Sequence, residues 1–113
     1  MIKVLNIISD TNIGGAGRVI LNYLRYTHRD RFETWIALPR GSLLKAPLEE
    51  AGGRVLEVDG IADRSYHRED VKTLRALMEV QRPHIVHTHG CLSGRIAAKK
   101  CHIPVVYSRH SAF

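Results

Sequence analysis

Apolar and polar positions alternate between two regimes along this chain. Short apolar, β-branched runs are separated by longer stretches in which apolar residues recur at helical spacing. Ile2 to Ile8 is the first such run and ends at Ser9-Asp10, which predicts a buried strand. Ala16, Ile20, Tyr23, Leu24 and Thr27 then fall on one helical face, predicting a helix from the glycines at 14–17 to about Arg29. Phe32 to Leu38 reads as a second strand stopped by Pro39-Arg40-Gly41. Ser42 is placed to cap a helix running to about Ala51, and Gly52-Gly53 end it.

Arg54 to Val58 predicts a third, shorter strand, and Asp59 to Tyr66 is polar and irregular. A helix is expected from about His67 to Gln81, with Val71, Leu74, Leu77 or Met78, and Gln81 along one side and Pro83 at its end. His84 to Thr88 is the fourth strand, His89-Gly90 a turn, Leu92 to Lys100 a helix, and Ile103 to Ser108 the fifth strand. Strands alternating with helices over short connections predict an α/β fold: a Rossmann-like parallel sheet with helices on both faces. A length of 113 residues allows one domain, 1–113. The chain stops just after a strand with no closing helix, so the reading is either a compact five-stranded domain or part of something larger.

Glycines give the first chemical signal. Gly14-Gly15-Ala16-Gly17-Arg18 joins the first strand to the first helix. Such a turn lets backbone N–H groups approach a phosphate, and the helix N-terminus adds unpaired donors and a positive dipole end. Ligands in an open parallel sheet bind beyond the carboxyl ends of the strands, where strand order reverses. Those ends carry Asp10, Asn12, Gly14 and Gly15; Arg40 and Ser42; His87, His89, Gly90 and Ser93; and Arg109, His110 and Ser111. The set suits an anionic, polyhydroxylated ligand, although Gly, Ser, Asp and Asn are also ordinary turn residues.

Charge and cysteine content narrow the partners. The formal net charge of +6 favours anionic partners or a solvated basic surface. With no basic run of five residues and only two Phe, four Tyr and one Trp, the stacking signature of a nucleic-acid module is thin, and no nucleic-acid partner is expected. Two cysteines, Cys91 and Cys101, form no disulfide framework and point to a reducing compartment. Met1 to Val4 opens a strand rather than a signal peptide, so cytoplasmic residence is the expectation.

Competing chemistries fit less well. His84, His87, His89, Cys91, Cys101 and His102 are close in sequence. On a strand, however, His84 points away from His87, and a helix separates the two cysteines by about 15 Å at 1.5 Å per residue. No metal is therefore expected. Cys91 beside His89 lacks an orienting group for a nucleophile, and a buried thiol is the commoner fate. The dinucleotide fingerprint fails, because the glycine spacing is wrong and strand two ends in Leu38-Pro39-Arg40. No Gly-Lys-Ser/Thr follows for a phosphate-loop NTPase. A receiver domain would want paired acids early and a Lys after strand five, where Arg109-His110 stand.

The same residues carry a family resemblance. Val4 to Ile8 followed by Asn12-Ile13-Gly14-Gly15-Ala16-Gly17-Arg18-Val19 resembles the opening of family 4 retaining glycosyltransferases, which have the two-domain GT-B fold. Arg82 to Gly90, then Ile103 to His110, resembles their later N-terminal-domain signature, "Pro-Asp-Ile-Val-His-x-His", a helix, then "x-Pro-Val-Val-x-Thr-x-His". The likeness runs in order over the whole chain. It implies that Gly14 and Gly15 lie near the donor diphosphate, and that His110 faces the cleft as the catalytic candidate. Arg18, His87, His89 and Arg109 would border the acceptor or phosphate. Gly17 stands where relatives often carry Glu.

The resemblance also implies a nucleotide-sugar donor as substrate, a hydroxyl acceptor, retention of configuration and no metal or other cofactor. It further implies a C-terminal donor-binding domain with a Glu-x7-Glu motif that this chain lacks. Glu49 and Glu57 share that spacing but bracket a Gly-Gly break. The chain is thus expected to be an incomplete N-terminal domain of a GT-B enzyme, inactive alone. The basic charge is compatible with peripheral contact to anionic lipid headgroups at the inner face of a membrane, without an amphipathic basic helix to argue it strongly. The alternative is a stand-alone, non-catalytic α/β binding module that docks a partner chain.

Overall fold

A computed structural model describes residues 1–11, 14–26 and 31–108. Five strands alternate with four helices: β1 (Ile2–Ile8), α1 (Gly15–Tyr26), β2 (Phe32–Pro39), α2 (Lys45–Glu50), β3 (Arg54–Val58), α3 (Arg68–Gln81), β4 (Ile85–His89), α4 (Leu92–Lys100) and β5 (Val105–Ser108). The strands form one parallel sheet in the order β3-β2-β1-β4-β5. Chain order therefore reverses between β1 and β4. Leu5 pairs with Trp35 on one side and Val86 on the other.

Successive β1 side chains serve opposite layers, as strand alternation requires. Leu5 and Ile7 join Ala37, Val58 and Val86 beneath α3 and α4, whose Val71, Leu74, Met78, Ala97 and Ala98 complete that layer. Ile8 joins Ile36 and Leu38 on the other face, beneath Ile20 and Leu24 of α1 and Leu48 of α2. Central strands that bury both faces read as unbroken apolar runs, which is why β1 and β2 stood out in sequence. The fold class is the expected one, with helices on both faces.

Several boundaries differ from expectation. β2 takes in Pro39, which sits opposite Val58, and the turn begins only at Arg40, whose N–H reaches the Val58 carbonyl at 3.0 Å. Ser42 is not the N-cap of α2. Its Oγ accepts from the Leu44 N–H at 3.2 Å in a turn before the helix, and Leu44 takes the cap position. His84 stays outside β4 because its Nδ1 accepts the Lys3 N–H at 2.8 Å, and the strand runs on to His89. Ile103 spends its N–H on the Ala98 carbonyl, closing α4, so β5 begins only after Pro104. The expected extension of α1 to Arg29 lies outside the described residues beyond Tyr26.

Gly17 is a packing residue. A Cβ added to it would lie 2.5 Å from Leu44 Cδ2, and Leu44 is itself fully buried. The bare backbone lets α1 and the start of α2 meet over the sheet.

Candidate functional site at the strand-order switch

The C-terminal ends of β1 and β4 meet at the switch point, where a doubly wound sheet opens a crevice. On the α1 face, four polar side chains from three strands stand together: Asn6 on β1, His87 and His89 on β4, and Ser108 on β5. Parallel register sets this up. Asn6 lies opposite His87, and His89 opposite Ser108.

Asn6 and His89 are 2% and 3% exposed, and His89 Nε2 lies 3.2 Å from Asn6 Oδ1, a pairing that needs the proton on Nε2. The His87 and His89 rings stack with centroids 4.1 Å apart and planes at 24°. His87 Nε2 lies 2.8 Å from Ser108 Oγ. A cleft of about 120 Å³ opens beside them, with Val19, Ile20 and Tyr23 of α1 as its other wall. Buried polar side chains cost free energy unless they are hydrogen-bonded. The cluster meets that condition among its own members and through Asn6 Nδ2, which donates to the Trp35 carbonyl at 3.4 Å, and it still presents a histidine face to the cleft.

The candidate residues divide into three groups. His87 and His89 share one face as expected and line the cleft. Gly14 and Gly15 open α1 above the same sheet edge; Gly14 supplies the carbonyl that accepts the Arg18 N–H at 3.0 Å, and the first turn holds no acidic side chain. Arg18 is exposed in that turn beside Val19, and none of Gly14, Gly15 and Arg18 lines the cleft itself. Arg109 and His110 lie outside the described residues; Ser108 immediately precedes them.

Other helix starts at this edge are already engaged. The amides of Leu92 and Ser93, opening α4, donate to Ser65 Oγ at 3.2 Å and Ser65 O at 3.0 Å. His67 Nδ1 caps α3 by accepting the Glu69 N–H at 3.2 Å. Asp70, 2% exposed in the first turn of α3, accepts two 2.7 Å hydrogen bonds from Arg64, and these hold its carboxyl below the usual range. Burial pushes the Cys91 thiol up, the opposite of what a nucleophile requires. Among the described residues, no three His, Cys, Asp or Glu side chains converge to hold a metal ion. Nor is any helix long and apolar enough to cross a membrane.

Sequence reading missed Asn6 and Ser108. Asn6 did leave a signal, a lone amide in the middle of an otherwise apolar buried strand.

The fold recurs in solved structures. A glycosyltransferase from Rickettsia africae superposes with a TM-score of 0.75 at 16% identity, covering 99% of this chain and 30% of that one. MurG from Acinetobacter baumannii gives 0.74 at 14% identity, covering 100% and 37%. S. aureus MnaA, solved with UDP, gives 0.68 at 14% identity, covering 95% and 30%. The chain spans about a third of each, and its fold is the Rossmann-like N-terminal part of the GT-B arrangement. No curated relative matches it in sequence. The family model for Glycosyltransferase Family 4 matches residues 13–113, from the residue before the glycine turn through the last strand and the segment after it, and on that match the chain belongs to glycosyltransferase family 4.

Proposed function

We propose that this domain forms the acceptor side of a glycosyltransferase that moves a sugar from a nucleotide-sugar donor to a hydroxyl acceptor with retention of configuration. The observation that carries the reading is the stacked His87–His89 pair, tied to Asn6 and Ser108, at the switch-point cleft of a family 4 chain. Imidazole nitrogens and a serine hydroxyl can exchange hydrogen bonds with sugar or acceptor hydroxyls in either direction. Gly14 and Gly15, at the start of α1, are suited to the donor diphosphate through backbone N–H groups and the helix dipole. In this reading a second domain holds most of the nucleotide, and no metal is needed.

His110 is the proposed residue at the reacting centre, two positions beyond Ser108, with Arg109 and Arg18 at the acceptor or phosphate. Peripheral contact with anionic lipid is supported by the outward face of α1, where Arg18, Arg25 and Tyr26 are exposed. The test uses the full-length protein with nucleotide-sugar donors. His110→Ala should lower turnover at least tenfold with unchanged unfolding behaviour; wild-type turnover in that variant would overturn the assignment.

A second reading, a binding module that docks a partner chain, is favoured by one observation. Val106 on the same sheet face is 54% exposed. Saturable nucleotide-sugar binding by the domain alone would count against it.

A further inference from the structure

The β3–α3 connection, residues 59–67, read as plain polar loop in sequence. In the structure it reaches across the C-terminal edge of the sheet to Thr11, three residues before the glycine turn. Asp63 accepts the Thr11 N–H through Oδ1 at 3.1 Å and the Thr11 hydroxyl through Oδ2 at 2.9 Å. Its own N–H donates to the Ser9 carbonyl at 2.8 Å. From the other side, the β2–α2 turn closes on the same residue, the Leu43 N–H donating to the Thr11 carbonyl at 3.0 Å. Thr11 is thus gripped by two loops, three positions before Gly14.

The gripping loop carries features of a held conformation. Ile61 and Asp63 both adopt left-handed backbone, φ 56° and 50°; Asp tolerates this region, but a β-branched Ile occupies it only when the surroundings enforce it. Enforcement is visible on both sides. Ile61 is fully buried in the α3 layer. Arg64, next to Asp63, is held by its paired hydrogen bonds to buried Asp70. Gly60 leaves the room for that pair, since a Cβ there would lie 2.5 Å from Asp70 Oδ1.

We infer that Asp63 is a positioning residue for the glycine turn: it fixes Thr11, so that Gly14 and Gly15 are presented in a set place at the C-terminal edge of the sheet. The inference rests on the reading that those glycines receive phosphate. It goes further by making the geometry of that subsite depend on a loop from another part of the chain. Pre-set donors favour binding because less ordering remains to be done when the ligand arrives.

Amide hydrogen exchange on the 113-residue chain tests the grip. Asp63→Gly removes the carboxylate at a left-handed position that suits glycine, whereas Asp63→Asn keeps an acceptor oxygen and tolerates the same backbone. In Asp63→Gly the Thr11 and Leu43 amides should exchange at least fivefold faster, with the sheet amides of Ile7, Ile36 and Val86 unchanged, and Asp63→Asn should restore wild-type rates. An unchanged Leu43 amide, or equal acceleration through the sheet, overturns the inference. Should Asp63→Gly fail to fold, Thr11→Val, which lacks the hydroxyl, should still speed exchange at Leu43, and no change there overturns it equally.

Titration with inorganic phosphate separates the two layers. Shifts of the Gly14 and Gly15 amides that saturate at least fivefold more weakly in Asp63→Gly support the positioning role, and equal saturation overturns it. Absence of shifts in the wild type, with the exchange result intact, faults the phosphate reading and leaves the grip on Thr11 standing.

Discussion

The Asn6–His89 pair can be taken apart one partner at a time, and the arithmetic of buried polar groups fixes what should follow. Each side chain is almost fully buried, and each offers the other a hydrogen-bond partner at 3.2 Å. Asn6→Val keeps approximate volume and suits a central strand, but it strips His89 Nε2 of that acceptor. Leaving a buried donor without its partner costs about 1–3 kcal/mol. His89→Leu does the converse to Asn6 Oδ1 and also ends the stacking on His87, worth about 0.5–1.5 kcal/mol for an aromatic pair. Asn6→Val should therefore lose about 2 kcal/mol and His89→Leu about 3 kcal/mol.

The double variant removes both polar groups together, and paired apolar replacement of a buried polar pair is close to neutral. It should lose about 1 kcal/mol or less, most of it the stacking. Urea unfolding of the four proteins reads the coupling directly, and the expected value is at least about 1.5 kcal/mol in favour of the double variant. Additive losses, with coupling below about 0.5 kcal/mol, would refute the claim that the two groups depend on each other. Near-native stability in the double variant would also mean that the pair is kept for what it does at the cleft, not for holding the sheet.

Acid should weaken the fold through Asp70. Its carboxyl is held below the ordinary range, so its contribution is present above the unfolded-state pKa of about 3.9 and is lost as pH falls through the lower folded value. Asp70→Asn should accordingly be less stable than wild type at neutral pH, with the gap closing below about pH 4 in urea titrations. Gly17→Ala should destabilise despite better helix propensity: crowding Leu44 costs about 1–3 kcal/mol, against roughly 1 kcal/mol gained. Thermal or urea melts of Gly17→Ala and of Gly17→Ala with Leu44→Val check this, the second change relieving the first. Cys91, 2% exposed with its thiol pushed up, should react with an aromatic disulfide reagent at least tenfold more slowly than half-buried Cys101, as each Cys→Ser variant would show.

Much of the fold was legible because burial on both faces writes β1 and β2 as unbroken apolar runs, and because Pro83 and Gly52-Gly53 punctuate the helices. The errors fall where side chains compete for backbone groups. His84 left its strand for the Lys3 amide, and Ser42 served a turn instead of a cap. At the site, His87 and His89 were readable because a period of two puts them on one face. Asn6 and Ser108 join them only through cross-strand register, which depends on β4 settling next to β1. Asp63 was illegible for a similar reason: its partner Thr11 is 52 residues away, and no local pattern marks the pair.

The two core layers also differ in when they can exist. The layer under α1 and α2 draws its buried residues from Ile8 to Leu48, with Val55 packed against it, all from the first half of the chain. The layer under α3 and α4 draws on Leu5 and Ile7 at one extreme and Ala97 and Ala98 at the other. During synthesis from the N-terminus, the first layer has its residues in hand long before the second, so β1 spends that interval with one neighbour and one open edge. Unpaired parallel edges are prone to wrong partners. The late arrival of β4, carrying His87 and His89, thus covers the open edge of β1 and brings the histidines beside Asn6 in a single event.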